Sequence, residues 1–335
     1  MTARSNDRST SRPKRPTILD IAQAAGVSRQ TVSRAMNDQA EISAITKQRV
    51  LEAAQKLGYR PNRFASNMAR QKDIAIGLAI TSLRNPYYTD LVSDLDAEFA
   101  TRGWQVIVVT SDNADPVTLV SRLAQQTDAV VGYFARTEEQ ELHDAARGLP
   151  LILFDTVAHT PGVDSVGPDF DEGMRMFVEG LKHRGARRFG MLDSCLATRA
   201  YSPTLRRQFF EKYAGKSPVA VGSDSMMGGA NALEELLLHD RSIDTVIAFN
   251  DVMAIGAIQR AHELGISLPG DLRIAGIDGL PVGAALTPSL TTLAIDRPAI
   301  ARQTAKWLDE RLASPNDPST HYALLPPIPV WRGSA

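Results

Sequence analysis

Apolar residues recur at helical spacing in the first part of the chain and, from residue 74 onward, in strand-length runs. In "TILDIAQAAGVSRQTVSRAMN" the residues Ile18, Ile21 and Ala22 share one helix face. Thr17 is placed to cap that helix, with Asp20 completing a capping-box-like pattern. Ala25-Gly26-Val27 predicts a tight turn, and Ser28 caps a second helix whose Val32 and Ala35 point inward. A third helix follows Ser43 in "AITKQRVLEAAQKLG", with Ile45, Val50, Ala53, Ala54 and Leu57 inward and Gly58 as its stop. Three short helices with an Ala-Gly turn between the first two describe a helix-turn-helix head.

Beyond residue 74 the runs "IAIGLAIT", "WQVIVVT", "DAVVGYF", "PLILFD", "RRFGMLD", "TVIAF" and "LRIAGID" are each of strand length. They are rich in Val and Ile and separated by stretches of helical pattern, the alternation of parallel α/β layers. At 335 residues the chain is long enough for a small head and two such sheets.

Charge divides at the same place. Residues 1–73 hold 14 Lys and Arg against 6 Asp and Glu, a net of +8, and the remainder is net −9. A basic head on an acidic body fits a head that meets a polyanion. Cys195 is the single cysteine, so no internal disulfide forms and a reducing cytoplasm is expected. The start "MTARSNDRSTSRPKRP" has no apolar h-region, and residues 1–16 are expected to be a disordered basic arm. No run of about 18 apolar residues is present to span a membrane.

On the second helix Arg29, Gln30, Ser33 and Arg34 form the outward face. An α-helix fits the major groove, where Arg pairs with guanine and Gln with adenine. The hydroxyls of Thr17, Ser28 and Thr31 sit where capping geometry also suits phosphate contacts. The expected DNA-contacting set is Thr17, Ser28, Arg29, Gln30, Thr31, Arg34, Asn37, Tyr59 and Met68. A solvated helix face is the bland alternative, and the three-helix pattern with its charge bias outweighs it.

The segments "TILDIAQAAGVSRQTVSRAMN" and "LGYRPNRFASNMARQ" closely resemble the DNA-binding signature and hinge of the lactose-repressor (LacI/GalR) family of bacterial transcription factors. The resemblance continues through "IGLAITSLRNPYYTDLV", "AFNDVMAIGAIQRAHELGISLPGDLRIAGIDGLP" and "TPSLTTLAID" and covers about residues 17–335. It implies a small all-α helix-turn-helix domain followed by a two-lobed α/β periplasmic-binding-protein-like domain with crossed connections. The expected limits are 17–61 for the helix-turn-helix domain, 62–73 for a hinge helix and linker, and 74–335 for the effector-binding and dimerisation domain. Within the last, lobe 1 is about 74–167 with 294–326, and lobe 2 about 168–293 with 327–335. In this family a leucine from each hinge helix wedges into the minor groove; Met68 stands there, an apolar but more flexible wedge. The implied partners are palindromic double-stranded operator DNA, a second copy of the chain and a small-molecule effector. No leucine-heptad tail follows residue 326, which favours a dimer over a tetramer.

An enzyme is the competing class for the α/β body, and its usual signatures are missing. "IGLAITSLRNP" lacks a dinucleotide-binding glycine fingerprint, and no Walker loop, H-E-x-x-H or G-x-S-x-G occurs. The six histidines have no metal-ligand spacing, so no metal and no cofactor are expected. A sugar-binding transport protein remains as an alternative, disfavoured by the start of the chain and the presence of the head. An α/β oxidoreductase is a weaker one.

Ligands of open α/β sheets lie beyond the carboxyl ends of strands. Asp155, Asn250, Asp251 and Asp278 fall at such ends, and Tyr87 and Tyr88 follow the turn after the first strand. Asp251, beside a helix start, is expected to cap that helix. The resemblance implies an effector-binding role for Arg206 and favours contacts from Asn250 and Asp278. Many sugar-responsive members carry a stacking aromatic near "GSDSMMGG", where Ser223, Asp224 and Ser225 stand. Phe134, Tyr87 or Phe249 could replace it. The expected effector set is Tyr87, Phe134, Asp155, Arg206, Asn250 and Asp278, and the expected function a cytoplasmic repressor of carbohydrate-use genes. A sugar is the expected effector, with a phosphorylated sugar, polyol or nucleoside open.

Overall fold

The computed structural model describes residues 18–36, 42–56, 74–111, 114–134, 137–195, 201–315 and 317–335. The chain divides into two compact units, Met1–Lys72 and Asp73–Ala335.

The head is built from α1 (Ile18–Ala25), α2 (Arg29–Met36) and α3 (Ala44–Lys56). Gly26, at φ +62°, ends α1 in a Schellman pattern: its N–H reaches the Gln23 carbonyl and that of Val27 the Ala22 carbonyl at 3.0 Å. Ser28 Oγ accepts the Thr31 N–H at 3.1 Å to cap α2, and Ser43 Oγ accepts that of Thr46 at 3.2 Å to cap α3. Ile21, Ala22, Ala25, Val32, Ala35, Val50, Ala53 and Ala54 close the core, with Ile18, Val27 and Ile42 packed at its edge.

Ile45, expected inward, is instead 81% exposed. It lies five positions before Val50, well off the face that Val50, Ala53 and Ala54 share, and Thr46 occupies that face one turn earlier. Leu57 and Gly58 lie outside the described residues.

The body contains two six-stranded sheets with helices between most successive strands. The first sheet runs β11-β5-β4-β3-β1-β2 and is parallel throughout. It comprises β1 (Ile74–Ile80), β2 (Trp104–Thr110), β3 (Ala129–Gly132), β4 (Leu151–Phe154), β5 (Val163–Pro168) and β11 (Tyr322–Leu325). The second runs β12-β10-β9-β8-β6-β7, with β12 antiparallel to β10. Its strands are β6 (Phe189–Ser194), β7 (Val219–Gly222), β8 (Thr245–Ala248), β9 (Arg273–Asp278), β10 (Thr291–Ala294) and β12 (Ile328–Val330). The chain passes between the sheets after β5, after β10 and after β11, which gives each lobe pieces distant in sequence.

The helices that matter for the site are α4 (Pro86–Ala100), α5 (Pro116–Gln126), α6 (Glu139–Ala146), α7 (Phe170–His183), α8 (Leu205–Ala214), α9 (Met226–His239), α10 (Asp251–Glu263) and α11 (Arg297–Ala313). Most start at side-chain caps, as at Asn85, Thr204, Ser225 and Asn250, which set where each helix begins beyond its strand. Arg311 of α11 fastens the first lobe with a paired bond to buried Asp164, at 2.7 and 2.6 Å.

Candidate functional site

Two sets of residues stand out, one on each unit. On the head, Val32 and Ala35 turn α2 into the core, leaving Arg29, Gln30 and Arg34 exposed and Thr31 and Ser33 half-buried. Residues 29, 30, 33 and 34 share one face by helical period. The first turn of α2 carries no acidic residue, so the positive helix end meets no negative side chain of its own there. Ser28 and Thr31 hydroxyls lie 2.9 Å apart beside that end. Thr17, Asn37, Tyr59 and Met68 lie outside the described residues, as do the arm 1–16 and the stretch 57–73.

In the body, carboxyl ends of strands from both sheets converge. Asn85 caps α4 by accepting the Tyr87 N–H at 3.0 Å, which plants Tyr87 and Tyr88 just past β1. Tyr133 follows β3 and Asp155 follows β4. Tyr88 stands edge-on to Tyr87 and to Tyr133, with centroids 5.3 Å apart in each case. The Tyr133 hydroxyl donates to that of Tyr87 at 3.3 Å. Burial pushes all three phenols above their ordinary range, with nearby Asp155 adding to the effect.

The second lobe contributes a buried cation. Arg206 of α8 is 9% exposed and donates to Asp278 Oδ1 at 3.1 Å and to the Phe249 carbonyl at 2.5 Å. Its guanidinium lies between two rings, 4.5 Å from the Phe249 centroid and 4.7 Å from that of Phe170. Desolvation raises the carboxyl pKa of Asp278, which is 1% exposed, and Arg206 opposes the rise. Asp155 is pushed up to about 6 by burial, again opposed by Arg206. Arg206 thus acts on carboxylates of both lobes, Asp155 through space and Asp278 through a direct bond.

Both aspartates occupy backbone conformations that non-glycine residues rarely adopt, φ +54° at Asp155 and φ +127° at Asp278. Gly167 makes room for the first: a Cβ there would lie 2.9 Å from the Asp155 backbone and 3.1 Å from its Oδ1. Asp155 Oδ1 is buried and has no hydrogen-bond partner. Strained backbone and an unsatisfied oxygen thus coincide at one point of the cleft.

The structure brings Tyr87, Asp155, Arg206 and Asp278 together and links Asn250 to them through Asp224. Asn250 Nδ2 donates to Asp224 Oδ1 at 2.5 Å, and Asn250 Oδ1 accepts the Met253 N–H at 2.9 Å. Capping of α10 therefore belongs to Asn250 and not to Asp251, the residue expected there. Asp251 lies one residue inside the helix, where its carboxylate accepts the Leu280 N–H at 2.7 Å and the Thr292 hydroxyl at 2.6 Å.

Phe134 is apart from the tyrosines. It is 7% exposed and packs in the core beneath α5 and α6 with Leu119, Leu123 and Leu142. Tyr133, Asp224 and Phe170 are the residues that sequence reasoning left out of the set. Tyr133 was findable by the strand-end rule that located Asp155.

Among the described residues no group of His, Cys, Asp or Glu is arranged to hold a metal ion. Among them no helix is long and apolar enough to cross a membrane. Chemically the cleft offers fixed hydrogen-bond acceptors, one guanidinium and several aromatic faces, an arrangement suited to holding a small polar molecule.

Residues 17–62 match the model of bacterial regulatory proteins of the lacI family, and residues 178–335 match the periplasmic binding protein-like domain. The HTH-type transcriptional regulator GalS of Salmonella typhimurium is 27% identical over 335 residues, spanning 95% of this chain and 98% of that protein. A LacI family transcriptional regulator from Arthrobacter, solved in complex with lactose, superposes with a TM-score of 0.70 at 26% identity. That match covers 78% of this chain and 99% of the other. The lac repressor dimer bound to operator and the anti-inducer ONPF gives a TM-score of 0.68 at 25% identity, covering 96% and 99%.

Proposed function

The chain belongs to the LacI/GalR family of bacterial transcriptional regulators, and from that membership we propose that it is a cytoplasmic homodimer that represses carbohydrate-use genes. It is a sequence-specific DNA-binding regulator. In our reading, residues 17–61 read a palindromic operator, 62–73 form the hinge and linker, and 74–335 bind effector and partner subunit. Arg29, Gln30 and Arg34 contact base edges, Ser28 and Thr31 the phosphates, and Met68 wedges the minor groove. Thr17, Asn37 and Tyr59 complete the contacts.

The body acts as the sensor and carries out no reaction. The observation that carries this reading is the Arg206–Asp278 pair, buried between Phe170 and Phe249 where the ends of both sheets meet. A charged pair held there is placed to bond ligand hydroxyls or to trade bonds with them. A ligand that binds one arrangement of the lobes better than the other shifts their equilibrium, and with it the affinity for DNA. The lactose held by the Arthrobacter regulator supports a sugar or sugar derivative as the effector class.

The test is selection of duplexes from a random library by the full-length protein, followed by titration at several salt concentrations. Enrichment of a palindrome whose binding weakens steeply with salt is expected. Gln30→Ala should lose about 1–3 kcal/mol on that palindrome and much less on random DNA. No enriched sequence, or equal losses on both duplexes, would remove α2 from base reading.

A further inference from the structure

Resting on the reading of the cleft as the effector site, we propose that Asp251 is a positioning residue of that site, holding Asp278 against Arg206 rather than meeting the effector itself. Helix capping leaves this carboxylate without a local task, because Asn250 caps α10 by accepting the Met253 N–H at 2.9 Å. Asp251 is nonetheless fully buried, at 0% exposed. A carboxylate buried that deeply is costly unless its oxygens find donors.

The donors it finds lie on the segment just after Asp278. Oδ2 accepts the Leu280 N–H at 2.7 Å. Oδ1 accepts the Thr292 hydroxyl at 2.6 Å, and Thr292 Oγ1 in turn accepts the Gly279 N–H at 3.2 Å. Both residues that follow Asp278 are thus fastened, one directly and one through Thr292. Gly276, two residues before Asp278, leaves the space, since a Cβ there would overlap Asp251 Oδ1.

That grip falls where the backbone needs it. Asp278 stands at φ +127° and Gly279 at φ +78°. A non-glycine residue keeps such a conformation only when its surroundings hold it there. From that backbone the Asp278 carboxylate reaches Arg206 Nη2 at 3.1 Å. The Asp278 carbonyl also accepts the Ile295 N–H at 3.3 Å, where the chain leaves β10 for the first lobe. Asp251 therefore ties Asn250, the Arg206–Asp278 pair and an interlobe crossover into one unit.

Solvent exchange of the Arg206 guanidinium N–H groups, followed by NMR on the full-length protein with isotope-labelled arginine, tests the proposal. Arg206→Lys identifies the signals, and Asp278→Ala gives the rate of the unpaired group. Asp251→Asn and Thr292→Val should each quicken exchange about tenfold toward that rate. Thr292→Ser, which retains the hydroxyl, should keep the parent rate. Thr291→Val is the structural control: Thr291 is equally buried on the same strand, but its hydroxyl bonds the Arg332 and Ala335 carbonyls. It should lower the stability of the body and leave Arg206 at the parent rate. Parent-like exchange in Thr292→Val or in a folded Asp251→Asn overturns the proposal, as does equal quickening in Thr291→Val. If Asp251→Asn does not fold, Thr292→Val decides alone. A parent protein whose Arg206 exchanges as fast as in Asp278→Ala overturns it too. No effector enters these measurements, so the effector reading is decided separately: a small-molecule extract should change operator affinity in the parent protein and leave Arg206→Ala unmoved.

Discussion

The head and the body differ most in what they bury. Five of the eight fully packed head residues are alanine, and none is larger than Ile21. The core of the second lobe holds Leu192, Leu233, Leu236, Ile258, Leu272 and Met253 among many others. A small alanine-rich core contributes little transfer free energy, so local devices carry much of the head's order: the Ser28 and Ser43 caps and the Gly26 turn. The body has enough apolar burial to tolerate two strained aspartates and a buried ion pair. The same contrast governs their chemistry. Exposed Arg29 acts through water and is screened by salt, whereas buried Arg206 acts in a low dielectric and is felt at short range by every group around it.

If that contrast is right, single changes should stay within their own unit. The largest effect is expected for Arg206→Ala, which leaves Asp278 buried without its partner. Loss of about 3–5 kcal/mol from the body is expected, with the effector response abolished. Calorimetric unfolding of the full chain would register it as a lower body transition. A normal effector response in this variant would mean that the cleft is not the sensor.

Ile21→Ala comes next, at about 2–5 kcal/mol. Within so small a core this is comparable with the whole stability of the head, so operator binding should vanish while effector affinity persists. A lowered body transition in this variant would show that the units are coupled more closely than their separate cores imply.

Sequence legibility followed the same division. On the head the signals are local: the period of Val32 and Ala35, the Ser28 cap and the Gly26 turn specify α2 and its outward face without help from the rest of the chain. Ile45 departs from its expected inward position because the face of α3 is fixed later, by Val50 and Ala54, and an apolar residue in the first turn carries no sign of that. In the cleft the signals are tertiary. Gly132, at φ +154°, packs so closely on the Ala79 carbonyl that no side chain fits, and beyond it Tyr133 joins Tyr87 and Tyr88 while Phe134 enters the core. Asn250 takes the cap expected of Asp251 because the helix begins one residue earlier, at Asp251 itself. The sandwich of Arg206 between Phe170 and Phe249 joins three separate elements and has no sequence signature.

Proton linkage separates the units again, at a smaller size. Burial holds the Asp155 carboxyl at about 6, above the ordinary carboxylate range of an unfolded chain. The folded state therefore binds the proton more tightly between those two values. Stability from this group is fully present below the unfolded pKa and is lost as pH rises through about 6, a span of about 3 kcal/mol. Chemical unfolding of the parent and of Asp155→Asn across pH 4 to 7 isolates it from other carboxyls. The difference between the two should change over that window in the body transition and leave the head transition alone.

The smallest effect should come from Ser28, where stability and recognition meet in one hydroxyl. Its Oγ accepts the Thr31 N–H at 3.1 Å, satisfying one of the free donors at the start of an eight-residue helix. Ser28→Ala removes that acceptor at a cost of about 1 kcal/mol. Amide exchange in α2 should then quicken about fivefold, with body amides unchanged. Operator affinity falls in either case, so this variant alone does not distinguish a cap from a phosphate contact. Ser28→Asp does. Aspartate caps as well as serine and suits the positive helix end, so exchange in α2 should return to the parent rate. Its charge would oppose a phosphate at the same position, so operator binding should stay weak even with the helix restored. An aspartate variant that binds operator like the parent would place the phosphate elsewhere and reduce Ser28 to a cap.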